Sequence, residues 1–203
     1  MAIDPTRFCI NRKIAPRLSL EAFFQLVQRL GLSKVELRND MPGGSVTDDL
    51  STDQLRALAD RYHIDIISIN ALYPFNHIDD ALLSRAEALL QTAQQIGAKA
   101  LVMCPLNEGI TVSPQQTQAA MQALAPRFAH YGILGLVEPL GFPVSSLRSV
   151  VQGQALLAAA GVPFKLLLDT FHHHLDEKAE QEFPVGSEID QVGLVHLSGG
   201  EDE

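Results

Sequence analysis

Short apolar runs alternate with longer stretches of helical periodicity along the whole chain. The runs at 7–11, 34–37, 65–70, 99–103, 134–138, 165–169 and 192–196 read as strands, being brief, rich in Val, Ile and Leu, and bounded by turn residues. Between them, 21–30, a segment opened by Ser51, about 80–96, about 113–130 and about 146–160 repeat their apolar positions every three or four residues and read as helices. Ser19 stands where a cap for the first helix is expected. Gly31, Gly97, Gly132 and Gly161 each fall two to four residues before a strand, where a left-handed helix stop is favoured.

Strand starts recur about every 26 to 35 residues, the repeat of a βα unit. The strands are apolar runs rather than clean alternations, which points to burial on both faces and parallel pairing. Strict strand–helix alternation leaves a closed barrel or an open doubly wound sheet. The open sheet calls for a glycine-rich phosphate turn after the first strand. Here that place holds Asn11-Arg12-Lys13-Ile14-Ala15-Pro16, without glycine. Polar residues also close almost every strand: Asn11, Arg38, Asn70, Glu138, Asp169 and His196. A barrel collects its site from such strand ends. The expected fold class is therefore α/β, a (β/α)8 TIM barrel in one domain over 1–203. Seven strands are legible, so the barrel is expected to lack its eighth βα unit. Strands one and seven would then present open edges, which makes a homo-oligomer an expectation.

Composition narrows the function. The chain has 203 residues, 46% of them hydrophobic, enough for a sizeable core, and a formal net charge of −9. An acidic surface argues against nucleic acid as a partner, because a phosphate backbone selects a basic face. Cys9 and Cys104 make no disulfide framework and read as small buried residues. The start of the chain lacks the pattern of a signal peptide and no apolar run approaches a membrane span, so a cytoplasmic protein is expected, with no membrane partner.

The candidate chemistry lies at three successive strand ends. Leu134-Gly135-Leu136-Val137-Glu138, Lys165-Leu166-Leu167-Leu168-Asp169 and Val192-Gly193-Leu194-Val195-His196 each deliver one metal-type ligand. If those strands are parallel neighbours, Glu138, Asp169 and His196 converge. Two carboxylates and an imidazole suit one divalent ion, and zinc, manganese, cobalt and magnesium all fit. Each residue also has a structural reading: Glu138 as a buried acid in an ion pair, Asp169 as a cap for the turn after its strand, His196 as a core histidine. Three such residues at equivalent positions favour the shared site. His172 follows Asp169 by three residues, where a turn can aim it at a substrate hydroxyl, whereas His173 and His174 read as solvent or rim. Arg38 and Asn70 can contact substrate oxygens. Glu36, on the same strand as Arg38, reads as a core ion-pair partner. Tyr73 and Phe75 are candidate pocket walls. An ion so held polarises a carbonyl oxygen while a carboxylate moves a proton at the adjacent carbon, which gives isomerisation or epimerisation.

Val137-Glu138-Pro139, Asp169-Thr170-Phe171-His172 and His196 together resemble the xylose isomerase-like TIM-barrel superfamily. Val35-Glu36-Leu37-Arg38, the stretch from Ile69 to Asn76, and Leu168 to His174 are most similar to its inosose isomerase group. The resemblance spans almost the whole chain. It implies Glu138, Asp169 and His196 as metal ligands, Glu138 as one of two acid/base carboxylates, and His172 on a substrate oxygen. It also implies a fourth ligand, a glutamate ending an eighth strand, for which 1–203 offers no residue. The implied activity is metal-dependent isomerisation or epimerisation of a keto-polyol or ketose, with a small sugar or cyclitol as substrate and inositol catabolism as the setting. A ketose 3-epimerase, a hydroxypyruvate isomerase and a non-catalytic sugar-binding protein are the alternatives. An endonuclease IV type of activity fits poorly, since its additional histidines are replaced by Arg38 and Asn70.

Overall fold

The structure, a computed structural model, describes residues 4–176, 179 and 189–199. Most of the polar, acidic stretch 173–190 of the sequence, with Phe183-Pro184-Val185, lies outside the described residues, as do Glu201, Asp202 and Glu203.

Seven strands form one sheet: β1 (Ile10–Asn11), β2 (Lys34–Arg38), β3 (Asp65–Leu72), β4 (Ala100–Met103), β5 (Leu134–Val137), β6 (Lys165–Asp169) and β7 (Val192–His196). They pair in chain order and every pairing is parallel. The connecting helices are α1 (Leu20–Arg29), α2 (Thr52–Arg61), α3 (Asp80–Ile96), α4 (Pro114–Tyr131), α5 (Val150–Ala160) and the short α6 (Thr170–His174). The sheet curls on itself, so that His196 on β7 comes within 3.0 Å of Glu36 on β2. A flat open sheet keeps these two strands far apart, because neighbouring strands are about 4.8 Å apart. The fold is that of a TIM barrel with seven strands among the described residues.

Helix boundaries follow local chemistry. Ser51, Ser113 and Ser149 each cap a helix and are answered by Gln54, Gln116 and Gln152 three residues on, the reciprocal capping box. Gly97 and Gly161 end α3 and α5 at φ of 76° and 64°, a left-handed conformation that glycine adopts without penalty. Two expectations were too long. The first strand shrinks from 7–11 to Ile10–Asn11, because Asp4 caps a tight turn over Pro5–Arg7. The fifth helix starts at Val150 rather than 146, because Leu140 N–H bonds to the Leu147 carbonyl and holds the intervening residues in a loop.

The apolar runs resolve into two cores by alternation. Leu101, Met103, Val137 and Leu166 face the helices, in a large cluster with Phe23, Phe24, Phe75, Leu90 and Phe128. Ala100, Val102, Leu136 and Leu167, their neighbours in sequence, point the other way and fill the barrel interior under β4 to β6. The interior under β2 and β3 is polar instead, with Glu36, Ser68 and Asn70 all buried. Burial on both faces explains the unbroken apolar runs of the sequence.

Candidate metal centre

β5, β6 and β7 are adjacent and parallel, so their C-terminal ends lie side by side. Glu138 follows directly on β5, and Asp169 and His196 are paired residues of β6 and β7. One ligand atom from each residue falls within 4.8 Å of the other two. His196 Nδ1 lies 3.5 Å from Glu138 Oε1 and 3.5 Å from Asp169 Oδ2. That spacing is long for a hydrogen bond. It matches two donors shared by one ion, since ligands 2.0–2.2 Å from a tetrahedral centre stand about 3.4 Å apart. The side chains of Glu138, Asp169 and His196 are only 5%, 10% and 15% exposed, so the cluster is largely withdrawn from water. Two carboxylates and an imidazole at this spacing fit a divalent cation.

Asp169 fulfils both of its readings. Its Oδ1 caps α6 by accepting the N–H groups of Phe171 and His172 at 2.8 and 3.2 Å, while Oδ2 faces His196. Burial alone would raise its carboxyl. The nearby His196 ring, the Ser198 hydroxyl and the His172 N–H outweigh that and bring it down to about 2. Burial likewise disfavours a charged His196. Asp169, Glu138 and Glu36 all face the ring and push it up to about 12.

The other expected residues surround this centre without joining it. His172 sits on α6 beside Asp169, and its ring packs edge-on against Phe142 at 4.9 Å. Its Nδ1 is buried without a hydrogen-bond partner. The turn expected after Asp169 is a short helix that this residue caps; His174 is exposed and His173 half-buried. Gly141 lets the loop after β5 touch this turn, since a Cβ there would stand 2.0 Å from the His172 carbonyl oxygen. Arg38 ends β2 and is paired with Asn70, which lies two residues before the end of β3. Arg38 grips Asp40 with two bonds of 2.7 and 2.8 Å and holds its carboxyl below the usual carboxylate range. Asn70 is buried. Phe75 is not a pocket wall: it is fully buried in the core between sheet and helices, whereas Tyr73 is 39% exposed.

Three residues near the centre were not marked out by sequence pattern. Cys104, just past β4, donates its thiol to Glu138 Oε2 at 3.4 Å, and burial and that carboxylate raise its pKa well above the ordinary thiol value. Ser198 donates to Asp169 Oδ1 at 2.5 Å. Asn39 braces the end of β3, its side chain bonding both the N–H and the carbonyl of Ala71 at 2.9 Å. The position of Cys104 at a strand end was the one usable signal among these.

A parallel α/β barrel with acidic and imidazole side chains converging at the C-terminal ends of three adjacent strands defines a class of barrels with a candidate metal centre. Within that class the chain belongs to the xylose isomerase-like TIM barrel family, whose model matches residues 24–203. An inosose isomerase from Halalkalibacterium halodurans is 23% identical over 184 residues, covering 86% of this chain and 65% of that protein. The chain thus spans about two thirds of the length of this curated relative. A crystal structure of a xylose isomerase domain-containing protein from Salmonella typhimurium LT2 superposes with a TM-score of 0.97 at 60% identity, over all of this chain and 74% of that one. A structure of the IolI protein with a bound zinc atom superposes with a TM-score of 0.84 at 19% identity, covering 98% of this chain and 74% of that one.

Proposed function

We propose that the protein is a divalent-metal-dependent isomerase or epimerase of a keto-polyol of the inosose type, acting by proton transfer at the carbon beside a carbonyl. The observation that carries this reading is the 3.5 Å spacing of Glu138, Asp169 and His196 in a cleft of low exposure. The inosose isomerase relative and the zinc-bearing neighbour support it. Glu138, Asp169 and His196 hold the ion, which would polarise the carbonyl and hydroxyl oxygens of the substrate. Glu138 takes the proton from the carbon beside the carbonyl, and proton return to the former carbonyl carbon gives the isomer, or to the opposite face of the same carbon the epimer; Cys104 donates to the second Glu138 oxygen and keeps the carboxylate in place. His172, on the turn that Asp169 caps, contacts a substrate hydroxyl. Arg38 and Asn70 bound the far side of the mouth and contact substrate oxygens there.

The test combines metal content with solvent exchange. Purified protein should bind about one divalent ion per chain and, on incubation with inosose in deuterated buffer, should place deuterium at the carbon beside the carbonyl. Glu138→Gln should lower the exchange rate by about 100-fold or more, the scale of a positioned acid/base group. A protein that binds inosose but exchanges nothing is a sugar-binding protein, and exchange with a free ketose in preference to inosose makes it a ketose epimerase. Absence of metal binding sinks the reading altogether.

A further inference from the structure

Glu36 lies across the barrel from the three metal-type ligands, and neither the ligand set nor the proton-transfer step uses it. It is 1% exposed, the most deeply buried acid of the described residues. A buried carboxylate is costly unless its oxygens are satisfied. Here they are, by groups from two strands, with a third strand close by. Asn11 at the end of β1 donates to Oε1 at 2.5 Å, and Ser68 of β3 donates to Oε2 at 2.6 Å. The third neighbour is His196 of β7, whose Nε2 stands 3.0 Å from Oε1.

The two nitrogens of His196 therefore meet different surroundings. Nδ1 faces Glu138 and Asp169, each at 3.5 Å, the separation of donors around a shared ion. Nε2 faces Glu36 at 3.0 Å, the separation of a hydrogen bond. Nε2 is also enclosed by protein and makes no aligned hydrogen bond in this arrangement, so Glu36 Oε1 is the acceptor in reach of an otherwise stranded N–H. Metal-ligating histidines commonly donate their second ring nitrogen to a carboxylate, which fixes the tautomer and strengthens the ligand. Asn11 and Ser68 hold Glu36 against rotation and make it a rigid acceptor.

We infer that Glu36 is a positioning residue that fixes His196 as its Nε2–H tautomer, so that Nδ1 is the nitrogen offered to the metal. This rests on the reading of Glu138, Asp169 and His196 as a metal centre. Glu36 acts through His196 and does not itself touch the ion, because the imidazole ring stands between them.

The test uses the zinc-loaded protein labelled with 15N-histidine, with the His196 signals assigned from a His196→Gln variant. The wild type should show Nδ1 bound to metal and Nε2 carrying a slowly exchanging proton. Zinc affinity, measured by competition with a chromophoric chelator, should fall by about 10- to 100-fold in Glu36→Ala. Glu36→Gln keeps a carbonyl acceptor of the same reach, so it should retain the Nε2–H signal and recover part of the affinity. That graded rescue and the tautomer signal separate positioning from a general loss of packing, and melting of the metal-free variants checks that they fold. Coordination through Nε2, or unchanged affinity and an unchanged Nε2–H signal in both variants, overturns the inference while leaving the metal centre standing. A wild type that binds no zinc, or binds it without perturbing His196, overturns the metal reading itself and this inference with it.

Discussion

At the scale of single residues, the proposed metal centre would set a cation against a proton at His196. Burial opposes charge on the ring, yet Asp169, Glu138 and Glu36 push its pKa up to about 12. A metal ion at Nδ1 must displace that proton. Metal affinity should therefore rise with pH, by about tenfold per unit between pH 6 and pH 8 if one proton leaves per ion. Calorimetric titration in buffers of different ionisation enthalpy counts the proton directly, and a count of zero refutes the displacement. The sign for stability runs the other way. A histidine raised above its unfolded value stabilises the metal-free fold fully below about pH 6.5, and that contribution is lost as pH rises toward 12. Alkaline conditions thus favour the loaded protein twice, by easing metal entry and by weakening the empty form.

At the scale of elements, the barrel mouth is assembled by loops that a few buried polar side chains tie together. Asn76, 2% exposed in the loop after β3, accepts the Leu106 N–H at 2.8 Å and donates to Ser146 Oγ at 3.0 Å. It thereby clamps the loops that follow β3, β4 and β5. Asn76→Ala leaves the buried Leu106 N–H without its partner, which costs about 2 kcal/mol and should lower Tm by about 4–8 °C. A thermal melt that matches wild type means the loops are held by other contacts. Element types, caps and order were legible in the sequence because they are local: Ser51 with Gln54, or Gly161 before β6, act over three or four residues. The limits of β1 and α5 were not, since strand pairing and a loop closed by Leu140 and Leu147 decide them.

At the scale of the molecule, the three proposed ligands come from β5, β6 and β7, so an ion held by them would tie these strands together and stiffen one side of the barrel. Bound ligand stabilises the folded state by mass action. Zinc at about 100 times its Kd should add about 2.7 kcal/mol, read as an increase in Tm, and Asp169→Ala should abolish the increase. A melt insensitive to zinc in the wild type argues against the site. The sequence alone determined the strand–helix alternation, the burial of the strands on both faces, and the three donors at successive strand ends. It did so because period, capping and strand-end chemistry are carried by neighbouring residues. Only the tertiary structure decided that Phe75 belongs to the core, that Cys104 and Ser198 support the two carboxylates, and that Glu36 meets His196. Those relations depend on how far the sheet curls, and curvature is a property of seven strands together, which no local pattern of hydrophobic and polar positions encodes.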